Sequence, residues 1–183
     1  MARVEVPRVV EARIEVLTPH EIERLMETAR LYSGGCCLAA VGMMLYAGIR
    51  SHEVARLSWE QVDIGGRTIS ILPQHSKTGG AWLVSIHAPL LRLLVECVGT
   101  GRICPPQWQR HWRELRQHAG FTHWVPDVLR HTFASYHLRH FRSYSELQYE
   151  IGHRDSSLLR TRYVNMSRLS DAAGGLGVSR GCV

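Results

Sequence analysis

The chain has 183 residues, 45% of them hydrophobic, with 22 Lys and Arg against 16 Asp and Glu and a formal net charge of +6. This content can bury a core and indicates one compact domain, while no stretch approaches the roughly 20 apolar residues of a membrane span and the charged N-terminus is unlike a secretory signal. Five cysteines without a framework spacing predict free thiols in a reducing cytosol. The positive charge indicates either an anionic partner such as nucleic acid or an ordinary basic surface.

The first part of the chain predicts helices. Residues 1–16 have no clear period and are interpreted as an extended arm. The segment 18–21, T-P-H-E, is a capping box with proline at the first helical position, and the helix that it opens ends at a Ser-Gly-Gly break. The apolar run 36–48 is long enough for a helix buried on most sides. Ser51 is a good N-cap for a short helix containing Glu53, which leaves Arg50 at a helix-to-helix corner.

The middle of the chain changes to a β pattern. It runs from Trp59 to Ile71 and includes VDI, a Gly-Gly turn and RTISIL, which together predict a hairpin. After a second turn the segment 81–87, AWLVSIH, supplies a third strand. The predicted product is a small three-stranded antiparallel sheet with Lys77 in its second turn.

Helices return in the remainder. Pro89 opens one, and the segment 106–120 forms another, with an apolar face and a basic face. The apolar face contains Trp108, Trp112 and Leu115, and the basic side chains mostly outside it are Arg110, Arg113 and Arg116. Such a basic face either lies along a phosphate backbone or is a solvated surface.

Three further helices are predicted towards the C-terminus. One follows Pro126 and extends to about His140, a Ser143 capping box starts a short helix to Glu150, and Asp155 is suited to cap the last. The predicted fold class is therefore α+β, mainly α with a small antiparallel sheet.

Five features follow one another in the chain: Arg50 at a corner, Lys77 on a hairpin turn, Arg130 near a helix start, His153 after a glycine, and Tyr163. They lie in the segments AGIRSHEVARLSW, SKTGG, LRHTFASYHL and IGHRDSSLLRTRY. This order resembles the tyrosine recombinase, or phage integrase, family.

The resemblance covers about residues 17–166 and implies the family's catalytic-domain fold, with residues 1–16 as an arm or linker and 167–183 as a flexible tail. It also implies that Arg50 and Arg130 are the two catalytic arginines. The other implied site residues are Lys77 as the hairpin lysine, His153 as the active-site histidine and Tyr163 as the nucleophile.

These residue types suit phosphodiester cleavage without a metal or cofactor. Guanidinium groups are permanently charged, planar and bidentate, and so hold the charge that grows on the non-bridging oxygens. A phenol ionises more readily than a sugar hydroxyl and forms a covalent ester that preserves the bond energy for religation. Lys77 is expected to protonate the leaving 5′-oxygen, and His153 to hydrogen-bond the scissile phosphate.

One position departs from the family pattern. Most members have histidine three residues before the second arginine, where this chain has Asp127. A carboxylate repels a phosphate, so three readings stay open: an N-cap of the following helix, a partner of Arg130 or general base for Tyr163, or a loss of activity. His131 is turned about a third of the way round the helix from Arg130.

Three further expectations concern side chains near these motifs and the activity as a whole. Glu53 is interpreted as structural, paired with a nearby base, and His137 with His140 lack a third metal ligand at a recognised spacing. The expected function is site-specific cleavage and religation of duplex DNA through a 3′-phosphotyrosyl intermediate. The alternatives are a catalytically impaired DNA-binding module of the same fold and a topoisomerase-like nicking and closing enzyme.

The expected partner is double-stranded DNA, bound mainly through phosphates by a homotetramer that is weakly associated or monomeric without DNA. No membrane partner is expected. The expected location is the cytoplasm, in association with the nucleoid, for a protein of bacterial or phage origin. Family members usually carry an N-terminal DNA-clamping domain, for which residues 1–16 are too short, so we expect weak DNA binding by this chain alone.

Overall fold

The computed structural model of the chain describes residues 15–74 and 80–152. Seven α-helices are found there: α1 Pro19–Leu31, α2 Leu38–Tyr46, α3 Ser51–Val54, α4 Ala88–Cys97, α5 Trp108–His118, α6 Val128–Phe141 and α7 Tyr144–Glu150. Three strands, β1 Val62–Asp63, β2 Thr68–Ile71 and β3 Trp82–Ser85, form an antiparallel sheet in the order β1-β2-β3. The predicted α+β class and the three-stranded sheet are confirmed.

Local hydrogen bonds explain where several helices begin. Thr18 caps α1 as predicted, because its hydroxyl accepts from the Glu21 amide and its own amide donates to the Glu21 carboxylate. Ser143 likewise accepts from the amide of Glu146 at the start of α7. The predicted N-cap at Ser51 is wrong, since Ser51 is the first residue of α3 and the residue before it has the extended backbone of an N-cap.

The prediction of β structure from Trp59 onward is wrong for its first residues. Trp59–Gln61 form a 3-10 turn whose N-cap Ser58 donates to the Gln61 side chain, and the strand begins only at Val62. The predicted break at Ser-Gly-Gly is confirmed, and the chain forms a 3-10 turn over Tyr32–Gly35 there.

The core forms around α2, which is buried over nearly its whole length, as the apolar run 36–48 predicts, and packs against α1, α4 and α6. The predicted apolar face of α5, containing Trp108, Trp112 and Leu115, is buried in the same core. A second, smaller apolar cluster joins α6 to α7 and consists of Phe133, Ala134, Leu138, Leu147 and Ile151. This cluster fixes α7, and with it the chain segment that precedes residue 153.

None of the described helices combines the length and the apolar character needed to span a membrane. The described cysteines, Cys36, Cys37, Cys97 and Cys104, are free thiols, as predicted.

Candidate active site

Arg130 lies in the first turn of α6 and is only 5% exposed. One guanidinium nitrogen, Nη1, donates to the carbonyl of Gly48 at 2.6 Å, and Nη2 donates to the carbonyl of Ile151 at 2.7 Å. A buried cation is tolerated when its donors are used in this way. Arg130 therefore connects the corner that precedes Arg50 with the corner that precedes residue 153.

Arg50 is held in place by the buried carboxylate of Glu53. Its backbone amide donates to Glu53 Oε2 and its Nη1 to Glu53 Oε1, both at 3.1 Å. Glu53 is fully buried, and the Arg50 side chain is 12% exposed. The expectation that Glu53 is structural and pairs with a nearby base is confirmed. The pair fixes both the backbone and the side chain of Arg50 at the start of α3.

Two glycines allow these corners to approach their neighbours. Gly48 has φ +63°, and a Cβ added there would lie 2.6 Å from Cδ1 of Phe133. Gly152 has φ +61°, and a Cβ there would lie 2.6 Å from the indole of Trp82. Both the positive φ and the close contact exclude a side chain, so the corners on either side of Arg130 require glycine.

Asp127 occupies the N-cap position of α6 but does not cap it. Its backbone is left-handed, with φ 58° and ψ 16°, and its exposed side chain makes no capping hydrogen bond. A side-chain cap requires an extended backbone at this position, so the interpretation of Asp127 as an N-cap acceptor is wrong. Asp127 instead lines a shallow pocket, whose other residues are Met44, Ile49, Ser51, Trp112, Trp124, Val128, Leu129 and Arg130.

Lys77, His153 and Tyr163 lie outside the described residues, and their predicted roles stay predictions. The segments that lead to two of them are described. Ile71 pairs with Trp82 at the end of the β2–β3 ladder that lies nearest in the chain to Lys77, and the Trp82 indole contacts Gly152, the residue before His153. The hairpin and the corner before His153 therefore meet at Trp82.

Sequence reasoning missed a polar contact between α7, β3 and the start of α4. Glu150 accepts from the Ser85 hydroxyl at 2.9 Å and from the Ser85 amide at 3.4 Å, and its carboxylate lies 3.7 Å from His87 Nε2. One signal was available: Glu150 follows the buried Leu147 by three positions, which places a carboxylate on the inner side of α7.

The contacts of this carboxylate shift two pKa values. Burial opposes ionisation of Glu150, but the contacts from His87 and Ser85 outweigh it and lower the pKa of Glu150. The Glu150 carboxylate raises the pKa of His87 against a smaller opposing effect of burial. Nearby, burial lowers the pKa of His137, whose Nδ1 has no hydrogen-bond partner among the described residues. Within those residues no group of three or more His, Cys, Asp or Glu is placed to hold a metal ion.

The basic side of α5 is smaller than predicted. The Arg116 guanidinium lies over the rings of Trp112 and Trp124, 5.1 and 5.3 Å from their centroids, and is partly buried there. Arg110 forms a 2.8 Å ion pair with Glu114. Arg113 is exposed to solvent and is the clearest candidate on this helix for an external anion.

The arrangement of helices around a short three-stranded sheet is that of tyrosine recombinase catalytic domains. The catalytic domain of bacteriophage HP1 integrase superposes with a TM-score of 0.70 at 22% identity, covering 88% of this chain and 94% of that one. The XerH site-specific recombinase, in a post-cleavage complex with its difH substrate, superposes with a TM-score of 0.68 at 18% identity over 88% of this chain and 53% of that one.

The sequence comparisons agree with the fold. The family model described as the phage integrase family matches residues 15–169, so the chain belongs to the phage integrase family. The integrase of Salmonella phage P22 is 25% identical over 186 aligned positions, which include 90% of this chain. The chain spans 47% of the length of that integrase.

Proposed function

We propose that this chain is the catalytic domain of a site-specific recombinase that cleaves and rejoins duplex DNA through a 3′-phosphotyrosyl intermediate. The observation that carries the proposal is the bridge that Arg130 makes between the carbonyls of Gly48 and Ile151. It brings together three of the segments in which the family motifs lie. Family membership supports DNA recombination and integration as the process that the chain serves.

The two arginines take the part that a metal ion plays in other phosphoryl-transfer sites. Arg50 and Arg130 are held by acceptors that are already in place before DNA binds, so orienting them at the transition state costs little. Guanidinium donors on the non-bridging oxygens stabilise the charge that develops there, and the loss of one such donor typically costs roughly 3 to 4 kcal/mol.

The remaining steps use residues outside the described segments. Tyr163 attacks the phosphorus and displaces the 5′-oxygen, which Lys77 protonates, while His153 donates to a non-bridging oxygen. The 5′-hydroxyl of a second strand then attacks the phosphotyrosine, which restores the phosphodiester and releases the phenol. In this proposal Asp127 either orients Arg130 or accepts the phenolic proton of Tyr163.

The proposed partner is duplex DNA, bound chiefly through its phosphates by four copies of the chain that associate weakly without DNA. The net charge of +6 and the resemblance to a recombinase solved with DNA support this partner. The proposed location is the cytoplasm, on the nucleoid of a bacterium or on phage DNA.

A nicked suicide substrate tests the proposal. The duplex carries a site selected from a random-sequence pool by binding to the full chain, with a nick placed so that the 5′-hydroxyl fragment diffuses away after cleavage. We expect a covalent protein–DNA adduct on Tyr163 that is absent from Tyr163→Phe, with DNA binding retained. Tyr144→Phe, on the partly buried Tyr144 of α7, is the matched control and should form the adduct normally.

Two outcomes would replace the proposal. DNA binding without an adduct would indicate a binding module in which Asp127 marks a decayed site. Relaxation of arbitrary supercoiled plasmids, without a preferred site, would indicate a nicking and closing enzyme.

A further inference from the structure

The carboxylate of Glu150 fixes the C-terminal end of α7 to the sheet. It accepts hydrogen bonds from both the hydroxyl and the amide of Ser85, at the end of β3. It also forms an ion pair with His87, the N-cap residue of α4. Its side chain is 12% exposed, so these contacts are partly shielded from water. Charge-assisted hydrogen bonds of this kind are stronger and more directional than neutral ones.

The residues that follow Glu150 directly support the proposed active site. The carbonyl of Ile151 accepts from Arg130, and Gly152 packs on the Trp82 indole of the same strand that Glu150 binds. Consecutive residues 150, 151 and 152 thus contact β3, α6 and β3 again. A shift of this segment would move the acceptor of Arg130 and the attachment point of His153 together.

We propose that Glu150 is a positioning residue, whose hydrogen bonds to Ser85 and ion pair with His87 set the geometry of Arg130 and of the corner that leads to His153. This inference rests on the proposed function. It extends that function by adding a carboxylate that acts through two other residues and contacts no substrate. It also connects the β2–β3 hairpin to the second arginine through one strand.

Charged and titratable groups surround this contact on several elements. His87 faces Glu150 from the start of α4, His137 approaches from α6, and His140 and Glu146 act on His137 at longer range. Since Glu146 is exposed on the same helix as Glu150, Glu146→Gln is a matched control that makes the same charge change without altering the contact with Ser85.

The first test needs no DNA. Amide hydrogen exchange is measured on the full chain for wild type, Glu150→Gln and Glu146→Gln. The amides of Ile151 and Gly152, which donate to Leu147 and Tyr149, should exchange about tenfold faster in Glu150→Gln alone. The amides of α2 should not change. Equal exchange in the two variants, or a uniform increase throughout the chain, would overturn the inference.

The second test measures the reaction. Single-turnover cleavage of the suicide substrate at saturating DNA should slow about tenfold or more in Glu150→Gln, while the dissociation constant for DNA stays within about twofold of wild type. Ser85→Ala should slow cleavage in the wild-type background and add less in the Glu150→Gln background, because both changes weaken the same contact. Additive effects of the two changes would contradict the inference.

The two tests separate failure of this inference from failure of the proposed function. If wild type forms no adduct, the proposed function fails, and hydrogen exchange still decides whether Glu150 orders the corner. If wild type forms the adduct and Glu150→Gln cleaves at the rate of Glu146→Gln, the function holds and the positioning role fails.

Discussion

Arg130 is anchored by the carbonyl of Ile151, 2.7 Å from its Nη2, although Arg130 lies in α6 and Ile151 follows α7, 21 positions away. The same guanidinium binds the carbonyl of Gly48, 82 positions away in the chain. Arg130, which is expected to be catalytic, therefore also connects the chain at Gly48 to the chain at Ile151. Substitutions at this position should affect folding stability and catalysis together.

Arg130→Lys should lower both stability and cleavage. An ammonium group cannot reproduce the planar fork that reaches two carbonyls at once, and each buried acceptor left unpaired costs about 1–3 kcal/mol of unfolding free energy. Urea denaturation measures this loss, and the suicide substrate measures cleavage. The control Arg139→Lys, at an exposed position of α6, should stay within about 0.5 kcal/mol of wild type. Equal stability of the two variants would contradict a structural role for the two hydrogen bonds of Arg130.

Gly48→Ala should destabilise more than Gly34→Ala. Both glycines have similar positive φ angles, +63° and +68°, but a Cβ at position 48 meets Phe133 whereas nothing lies within 4 Å at position 34. The backbone strain of about 1–3 kcal/mol is common to both, so the difference in unfolding free energy reports the clash beside Arg130. Thermal or urea unfolding of the two variants gives that difference. Equal losses of unfolding free energy would show that the chain around residue 48 shifts to accept a Cβ without a measurable loss of stability.

Local patterns in the sequence predicted the elements that depend on neighbouring residues. The capping box at Thr18, the cap at Ser143 and the three-stranded sheet all arise from contacts within a few positions or across one turn. The pairing of Glu53 with Arg50, three positions away, was also within reach of local reasoning.

The rest depends on contacts between distant residues. The acceptors of Arg130 are backbone carbonyls, which leave no mark in the sequence, and the bond from Ser85 to Glu150 spans 65 positions. The left-handed backbone of Asp127 is an uncommon state for a residue other than glycine, and it departs from the extended backbone that Asp usually has at an N-cap.

Asp127→Asn should leave stability almost unchanged. The side chain makes no capping bond, and Asn adopts the left-handed conformation as readily as Asp, so we expect a change within about 0.5 kcal/mol in urea denaturation. If the carboxylate is the general base for Tyr163, cleavage of the suicide substrate should fall. A large loss of stability would indicate a structural role for the carboxylate.

Arg113→Gln should weaken DNA binding equally for all sequences and reduce its dependence on salt. Arg113 is exposed on α5, and a phosphate contact contributes about one unit to the slope of log K against log salt concentration. Arg92→Gln, at an exposed position of α4, makes the same charge change and is the control. Binding titrations at several salt concentrations compare the slopes, and equal slopes would leave α5 as a solvated surface.

The ion pair of His87 with Glu150 should stabilise the fold in a limited range of pH. The pKa of His87 is raised above its usual 6.5, so its contribution is complete below pH 6.5 and is lost as the pH rises through the higher folded-state value. The pKa of Glu150 is lowered below its usual 4.5, so its contribution is present above pH 4.5 and is lost as the pH falls through the folded-state value. Both contributions are complete between these limits.

His137 acts in the opposite direction, because its lowered pKa means that burial favours the neutral imidazole and that acidification below its usual 6.5 destabilises the fold. Comparison of wild type with His87→Gln cancels the burial effect on His137, the largest cause of its lowered pKa, and leaves only the smaller charge repulsion between His87 and His137. In urea denaturation, the unfolding free energy of wild type minus that of His87→Gln should be larger at about pH 6 than at about pH 8. A difference that does not change with pH would show that His87 supports the fold by packing alone, without charge.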